Sequence, residues 1–272
     1  MVSLSKKVEE VNAQAPHLSG MFTESAKIVL RKGLNPDHFN AAVVASLDDS
    51  YSAQGLYASG EMQSATDMAF TAGFLFDDDG SVPVSFFSND TKDLGEVTIG
   101  TVKGFVARQK PRWNGTSYVA ALRWVIEQAG YSHIDLRNPL TAAAPASSGG
   151  FLGFGKRPVA SPTEGPLTVK ATTAVPTFAI IFTDGDPQDK EETEKLLRQM
   201  SQLPIFVQWI GVGDFKFTFL TKLNDLEGGL IDNSGFYDIK KAGGNQTKVL
   251  EGLLNEFPDY VNKAKQLGLI TA

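Results

Sequence analysis

Phe39-Asn40-Ala41-Ala42-Val43-Val44-Ala45-Ser46-Leu47-Asp48-Asp49-Ser50-Tyr51-Ser52 is the stretch on which the reading of the chain turns. Up to Leu47 apolar side chains occupy odd and even positions alike, the pattern of a strand covered by helices on both faces. The strand ends in a carboxylate and two hydroxyls at alternating positions, Asp48, Ser50 and Ser52, which sets three hard oxygen donors at one edge of a sheet. Such donors suit a hard cation. Two later segments can complete a shell: Asn114-Gly115-Thr116-Ser117, and Thr183-Asp184-Gly185-Asp186 after the apolar run Thr177-Phe178-Ala179-Ile180-Ile181-Phe182.

Working outward, residues 1–16 are polar and read as an arm, ordered only where something packs on it. An amphipathic helix follows from Leu18 to Lys32, so 1–34 form an arm and helix packing on the domain that occupies 35–272. Ala58, Met62, Ala65, Ala69, Ala72 and Phe76 share one face of a helix expected from Gly55 to Phe76. Shorter strands are expected at Val82–Phe87 and Gly95–Ile99, and a helix from Tyr118 to Ala129. From about 138 to 176 the chain turns rich in Ala, Pro, Ser, Gly and Thr, an insertion longer than compact domains commonly carry. Its apolar patch, Phe151 to Phe154, follows a helix running antiparallel to the strands and is expected away from the cation.

Beyond the insertion, Asp186-Pro187 reads as a helix start with Asp186 as N-cap. A third buried strand spans Ile205–Ile210, a helix 215–226, a last strand 236–239, and a C-terminal helix Gln246–Leu267 that Pro258 should kink or interrupt. Strands alternating with helices imply an α/β fold: a doubly wound, mostly parallel central sheet with helices on both faces. Ligands of such sheets sit beyond the carboxyl ends of the strands, where the winding reverses. The Asp48 and Asp184 loops both leave carboxyl ends.

The bulk composition narrows the function. The 272 residues are 42% hydrophobic and 10% aromatic, enough for a sizeable core. A net charge of −6 argues against nucleic acid as the main partner, because phosphate binding needs a basic surface. The absence of cysteine excludes disulfides, thiolate metal sites and cysteine nucleophiles. Met1 to Lys7 lacks the apolar core of a signal peptide, and no apolar run approaches the roughly 20 residues of a membrane span, so a cytoplasmic location is the expectation.

Asp48-x-Ser50-x-Ser52, then Thr116, then Asp184 in Thr-Asp-Gly, resembles the metal-ion-dependent adhesion site (MIDAS) of von Willebrand factor type A domains. Within that family the chain resembles the cytoplasmic type A domains of the tellurium-resistance, or Ter, stress-response group. The carrying residues are Val2 to Lys7, Leu30-Arg31-Lys32-Gly33-Leu34, Leu56-Tyr57 through Gly60 to Met62-Gln63, and Phe76-Asp77-Asp78-Asp79-Gly80. Trp113-Asn114-Gly115-Thr116 and Ile181-Phe182-Thr183-Asp184-Gly185 extend it over nearly the whole chain except the insertion. The resemblance implies one divalent cation, Mg2+ or Ca2+, taken by the hydroxyls of Ser50, Ser52 and Thr116 and by Asp48 and Asp184, directly or through water. It also implies a partner protein whose acidic group completes the coordination. Relatives often carry small residues where this chain has Asp49 and Tyr51. Turned to the site, Asp49 would add charge and favour calcium; Tyr51 would crowd its mouth.

Other readings stand beside this one. Asp48, Ser50 and Ser52 also suit the capping of the following helix. Asp77-Asp78-Asp79 reads as a solvated turn more readily than as a second calcium site. Arg112-Trp113 suits a partner anchor, and Trp113 equally suits the core. His17, His38 and His133 have no metal or catalytic spacing, and Gly211-Val212-Gly213 is too short for a phosphate loop. The function expected is a non-enzymatic, cation-dependent protein-binding module of a stress-response assembly. The alternative is a metal-dependent hydrolase or phosphoryl-transfer enzyme using Asp48 and Asp184, against which stands the lack of a matched base or nucleophile.

Overall fold

Ala42–Asp48 forms β1, buried after its first residue, and the sheet grows outward from it on both sides. The computed structural model describes residues 3–77, 80–131 and 175–270. The expectations for residues 138–174, Phe151 to Phe154 included, and for Asp78 and Asp79 lie outside the described residues.

The other strands are β2 (Ser81–Phe87), β3 (Thr91–Thr98), β4 (Thr177–Thr183), β5 (Ile205–Gly211) and β6 (Ser234–Asp238). They stand in the order β3-β2-β1-β4-β5-β6, parallel except for the antiparallel edge strand β3. The chain therefore winds one way from β1 to β3 and the other way from β4 to β6. The reversal falls between β1 and β4, which pair from Ala42↔Thr177 to Leu47↔Phe182. This register brings the residues after Leu47 and after Phe182 side by side at the carboxyl edge.

Helices cover both faces: α1 (Leu4–Gln14), α2 (Ser19–Arg31), α3 (Gln54–Ser59), α4 (Glu61–Phe76), α5 (Tyr118–Gln128), α6 (Lys190–Met200), α7 (Thr218–Asn224), α8 (Gln246–Leu253) and α9 (Phe257–Gln266). Because strand side chains alternate, Val43, Ala45, Leu47, Phe178, Ile180 and Phe182 pack with α1, α2, α4, α8 and α9. Val44, Ala179, Ile181, Val207 and Trp209 pack with α5, α6 and α7. Phe257 stacks on Phe178 at 4.4 Å between centroids, and Tyr118 lies 4.5 Å from Trp209. Each such buried aromatic contributes roughly 1.5–3 kcal/mol by leaving water.

One condition set by the sequence reading is met, and two helices differ from it. The N-terminal arm is a helix, α1, because it has something to pack on: Val11 is buried, and the Lys7 ammonium donates to the carbonyls of Leu75 and Asp77 at the end of α4. The helix expected from Gly55 to Phe76 is two helices, broken where Gly60 adopts φ 82° and closes α3 by donating to the Tyr57 carbonyl. The helix expected to start at Asp186 starts at Lys190, with Asp189 as the flanking residue. Asp189 is used elsewhere: its carboxylate accepts the N–H groups of Tyr118 (3.1 Å) and Val119 (3.2 Å), capping the positive end of α5. As expected, the C-terminal helix is interrupted, with Pro258 in the first turn of α9, where a missing N–H costs nothing.

Candidate metal centre

Asp48 is the last residue of β1 and has no exposed surface. Its carboxylate accepts the Ser50 N–H at Oδ1 (2.8 Å) and the Thr183 hydroxyl at Oδ2 (2.7 Å). The Ser50 and Ser52 hydroxyls lie 3.1 Å apart, and Ser52 donates to Asp184 Oδ1 at 3.0 Å. A ring of contacts results, running from Asp48 through the Ser50 N–H, the Ser50 and Ser52 hydroxyls and Asp184, and closed along the backbone to Thr183, whose hydroxyl returns to Asp48.

Thr116 lies on the segment beside this ring. Asn114 pairs with Ser50, the Asn114 carbonyl accepts the Tyr51 N–H (2.9 Å), and the Thr116 carbonyl accepts the Gln188 N–H (3.0 Å). Among the described residues, no hydrogen bond joins the Thr116 side chain to the ring. The structure thus brings Asp48, Ser50, Ser52 and Asp184 into mutual contact and sets the Thr116 backbone beside the loop that follows Asp184.

The electrostatics of the ring are unbalanced. Burial pushes the Asp48 carboxyl up from 3.8 to about 7; bonds from Ser50 and Thr183 pull the other way, and the negative Asp184 adds to the rise. Burial also raises Asp184. The phenols of Tyr57, which donates to the Asp48 carbonyl at 2.8 Å, and Tyr118, which donates to the Gly185 carbonyl, are held well above their ordinary range, mainly by burial. Among the described residues, no Lys, Arg or His forms an ion pair with Asp48 or Asp184.

Asp49 is not turned to the site. Its fully buried carboxylate is gripped by Arg112, Nε to Oδ2 at 2.8 Å and a second nitrogen to Oδ1 at 3.0 Å. Tyr51 points to solvent, 73% exposed, and does not crowd the ring. Asp186 is held by Lys190. Helix capping is not what the motif does here either, since α3 has Ala53 at its start and no side-chain cap. Arg112 is an internal contact, and Trp113 is half-buried against Tyr57. The sequence reading gave Tyr57 and Tyr118 no part in the site and named Thr183 within the Thr183–Asp186 segment without a role of its own; the available signal was its place one residue before Asp184 at the end of a buried strand.

These residues fit a hard divalent cation. The donors are all oxygens, two of them carboxylates that form no ion pair among the described residues, and hydroxyls supply the rest. Among the described residues no three His, Cys, Asp or Glu side chains are grouped to hold a metal, so any ion here relies on the hydroxyls. A groove of about 600 Å3, lined by Ser52, Leu56, Glu61, Asp184, Asp214 and Lys240, opens beside the ring.

The sheet order fits the doubly wound fold of a von Willebrand factor type A domain. The chain belongs to the vWA-TerF-like family, described as the vWA found in the TerF C terminus, whose model matches residues 40–135 and 166–270. It is 26% identical over 248 residues to the uncharacterized protein YcbR of Bacillus subtilis strain 168, covering 91% of this chain and 88% of that one. A stretch of 91 residues is 34% identical to Copine-C of Dictyostelium discoideum, covering 30% of this chain and 17% of that protein. The ArnB paralog VWA2 from Sulfolobus acidocaldarius is 16% identical with a TM-score of 0.40, covering 78% of this chain and 45% of that one. Proximal thread matrix protein 1 from the mussel byssus, with a zinc-occupied MIDAS motif, is 17% identical with a TM-score of 0.42, covering 78% and 47%. The chain spans less than half the length of these two structures. No helix among the described residues is long and apolar enough to cross a membrane.

Proposed function

We propose that the chain is a divalent-cation-dependent protein-binding module, with Mg2+ or Ca2+ held by Asp48, Ser50, Ser52, Thr116 and Asp184, directly or through water. The observation that carries this reading is Asp48: a carboxylate with no exposed surface, beside a second carboxylate, with hydroxyls around it and no positive partner among the described residues. Burying an unpaired charge is costly, and a bound cation removes that cost. A divalent ion neutralised by only two protein carboxylates supplies an open, electrophilic position suited to a third carboxylate. Ser50 and Ser52 orient the donors, and the groove beside Asp184 gives the partner's acidic side chain an approach.

The partner is another protein offering Asp or Glu, and the setting is a cytoplasmic tellurium-resistance or stress-response assembly of a bacterium. Membership of the TerF-like family supports that setting. On this reading the carboxylates and hydroxyls of the ring serve as ligands, and the module is a binder and not an enzyme.

Thermal denaturation tests it. A ligand at 100 times its Kd stabilises by about 2.7 kcal/mol, so Tm should rise by several degrees with Mg2+ or Ca2+, and Asp48→Ala or Asp184→Ala should abolish the rise. A wild-type Tm indifferent to both cations would sink the proposal. Phosphate-ester turnover dependent on Asp48 and Asp184 would replace it with the metal-dependent hydrolase.

A further inference from the structure

The segment that carries Thr116 is fastened to the β1 loop by contacts that use none of the five proposed ligand side chains. Arg112 holds the buried Asp49 with two guanidinium bonds of 2.8 and 3.0 Å and with its own N–H at 2.9 Å. The same guanidinium donates to the Asp90 carbonyl at 3.0 Å and pairs with the Asp90 carboxylate, so it also ties down the turn after β2. One residue on, the Trp113 N–H reaches the Asp49 carbonyl at 2.9 Å. To do so Trp113 adopts φ 58°, the positive φ that bulky L-residues avoid and that no other non-glycine described residue adopts. The Trp113 ring meets Tyr57 edge-on at 5.4 Å, and Tyr57 in turn holds the Asp48 carbonyl.

A buried ion pair is a poor source of stability, because desolvating two charges offsets most of their attraction. What a planar fork on a carboxylate supplies is fixed geometry, which a lysine, as a point charge, does not supply. Apart from the Arg112 contacts to Asp90 and the Tyr57 bond to Asp48, these contacts link residues 49–51 or 57 to residues 112–114, immediately before Thr116. The strain at Trp113 is sustained by the bonds on either side of it.

We propose that Asp49 and Arg112 are positioning residues of the cation site: their forked ion pair clamps the segment carrying Thr116 against the Asp48–Ser52 loop and sets the distance across which an ion is held. This inference rests on the cation reading above and adds residues that do not touch the ion.

The test is Arg112→Lys, which keeps the charge and removes the fork. Hydrogen exchange of the amides at 114–117 is measured without cation, and Mg2+ and Ca2+ affinities are measured by calorimetry. Outer-shell substitutions typically cost 10–100-fold in metal affinity, so exchange at 114–117 should quicken and the cation Kd should rise at least about tenfold. Exchange in β4 and β5 should stay unchanged, which separates positioning from general loosening. Unchanged exchange at 114–117 would overturn the clamp, as would a freed segment with wild-type affinity, or quickening spread evenly over the sheet. A wild type that binds neither cation defeats the cation reading and the positioning role together, and the wild-type titration alone tells that apart from a failed clamp.

Discussion

Asp48 and Asp49 are consecutive, both have no exposed surface, and the protein treats their charges in opposite ways. Asp49 is neutralised from within by Arg112, whose fork arrives from a distant part of the chain. Among the described residues Asp48 receives only neutral donors, Ser50 and Thr183, and it faces a second carboxylate. A permanent internal cation makes the first carboxylate a structural joint. The lack of one leaves the second dependent on protonation or on an ion from solution.

The largest effect should come from breaking the internal pair. Arg112→Ala strands the Asp49 charge in the interior, and breaking a buried pair costs about 3–5 kcal/mol. With the Arg112 side chain 22% exposed, the lower end of that range, about 3 kcal/mol, is the expected loss in urea denaturation. A loss near zero would mean that Asp49 is as tolerant of isolation as Asp48, and the contrast would vanish.

The opposite sign is expected at Asp48. Its folded carboxyl is raised to about 7 from 3.8, so the stability it contributes is fully present below the unfolded value and is lost as pH rises through about 7. Cation-free protein should therefore weaken between about pH 5 and 8. Asp48→Asn removes the charge in place and should make the cation-free protein more stable at pH 8, by about 2 kcal/mol, while ending any response to Mg2+ or Ca2+. Denaturation at the two pH values checks this; an Asp48→Asn variant less stable than wild type at pH 8 would show that the Asp48 charge is welcome where it sits.

This contrast was only half visible in the sequence. The apolar runs into Asp48 and Asp184 announce buried parallel strands, and hydroxyls at alternating positions announce oxygen donors, because both signals are local and periodic. The assignment of Arg112 to Asp49 is not local: 63 positions separate them, and an acid inside a cation motif reads as an extra ligand until its partner is known. Thr183 escaped for a similar reason, since its bond to Asp48 exists only because β4 lies beside β1. The break at Gly60 was ambiguous because Gly73, in the same run, stays helical. There a Cβ would come within 2.9 Å of Val82, so that glycine serves close packing against the sheet and not a turn. Asp186 and Asp189 both suited a helix start, and what decided between them was the need of α5 for a carboxylate at its own amino end.

A third acid tells whether the pH effect belongs to the ring at all. Glu256 sits at the other edge of the sheet, in a cleft of about 700 Å3 with Asp225, Asp232, Asp259 and Lys263. Its carboxyl is pushed up to about 7, chiefly by burial, then by Asp232, Asp225 and Asp259, with Lys32 opposing. The sign is that of Asp48: stability present at low pH is lost as pH rises through about 7. Both acids thus act in one window, but Glu256 is only partly buried, and solvent screening makes its share the smaller. A cation held by the ring should cancel the Asp48 share and leave that of Glu256 untouched. In saturating Mg2+ or Ca2+ the loss of Tm that remains between about pH 5 and 8 should then shrink in Glu256→Gln, leaving the shares of Asp67 and Asp232, which burial also raises. Should that substitution leave the residual slope intact, Glu256 would carry none of it.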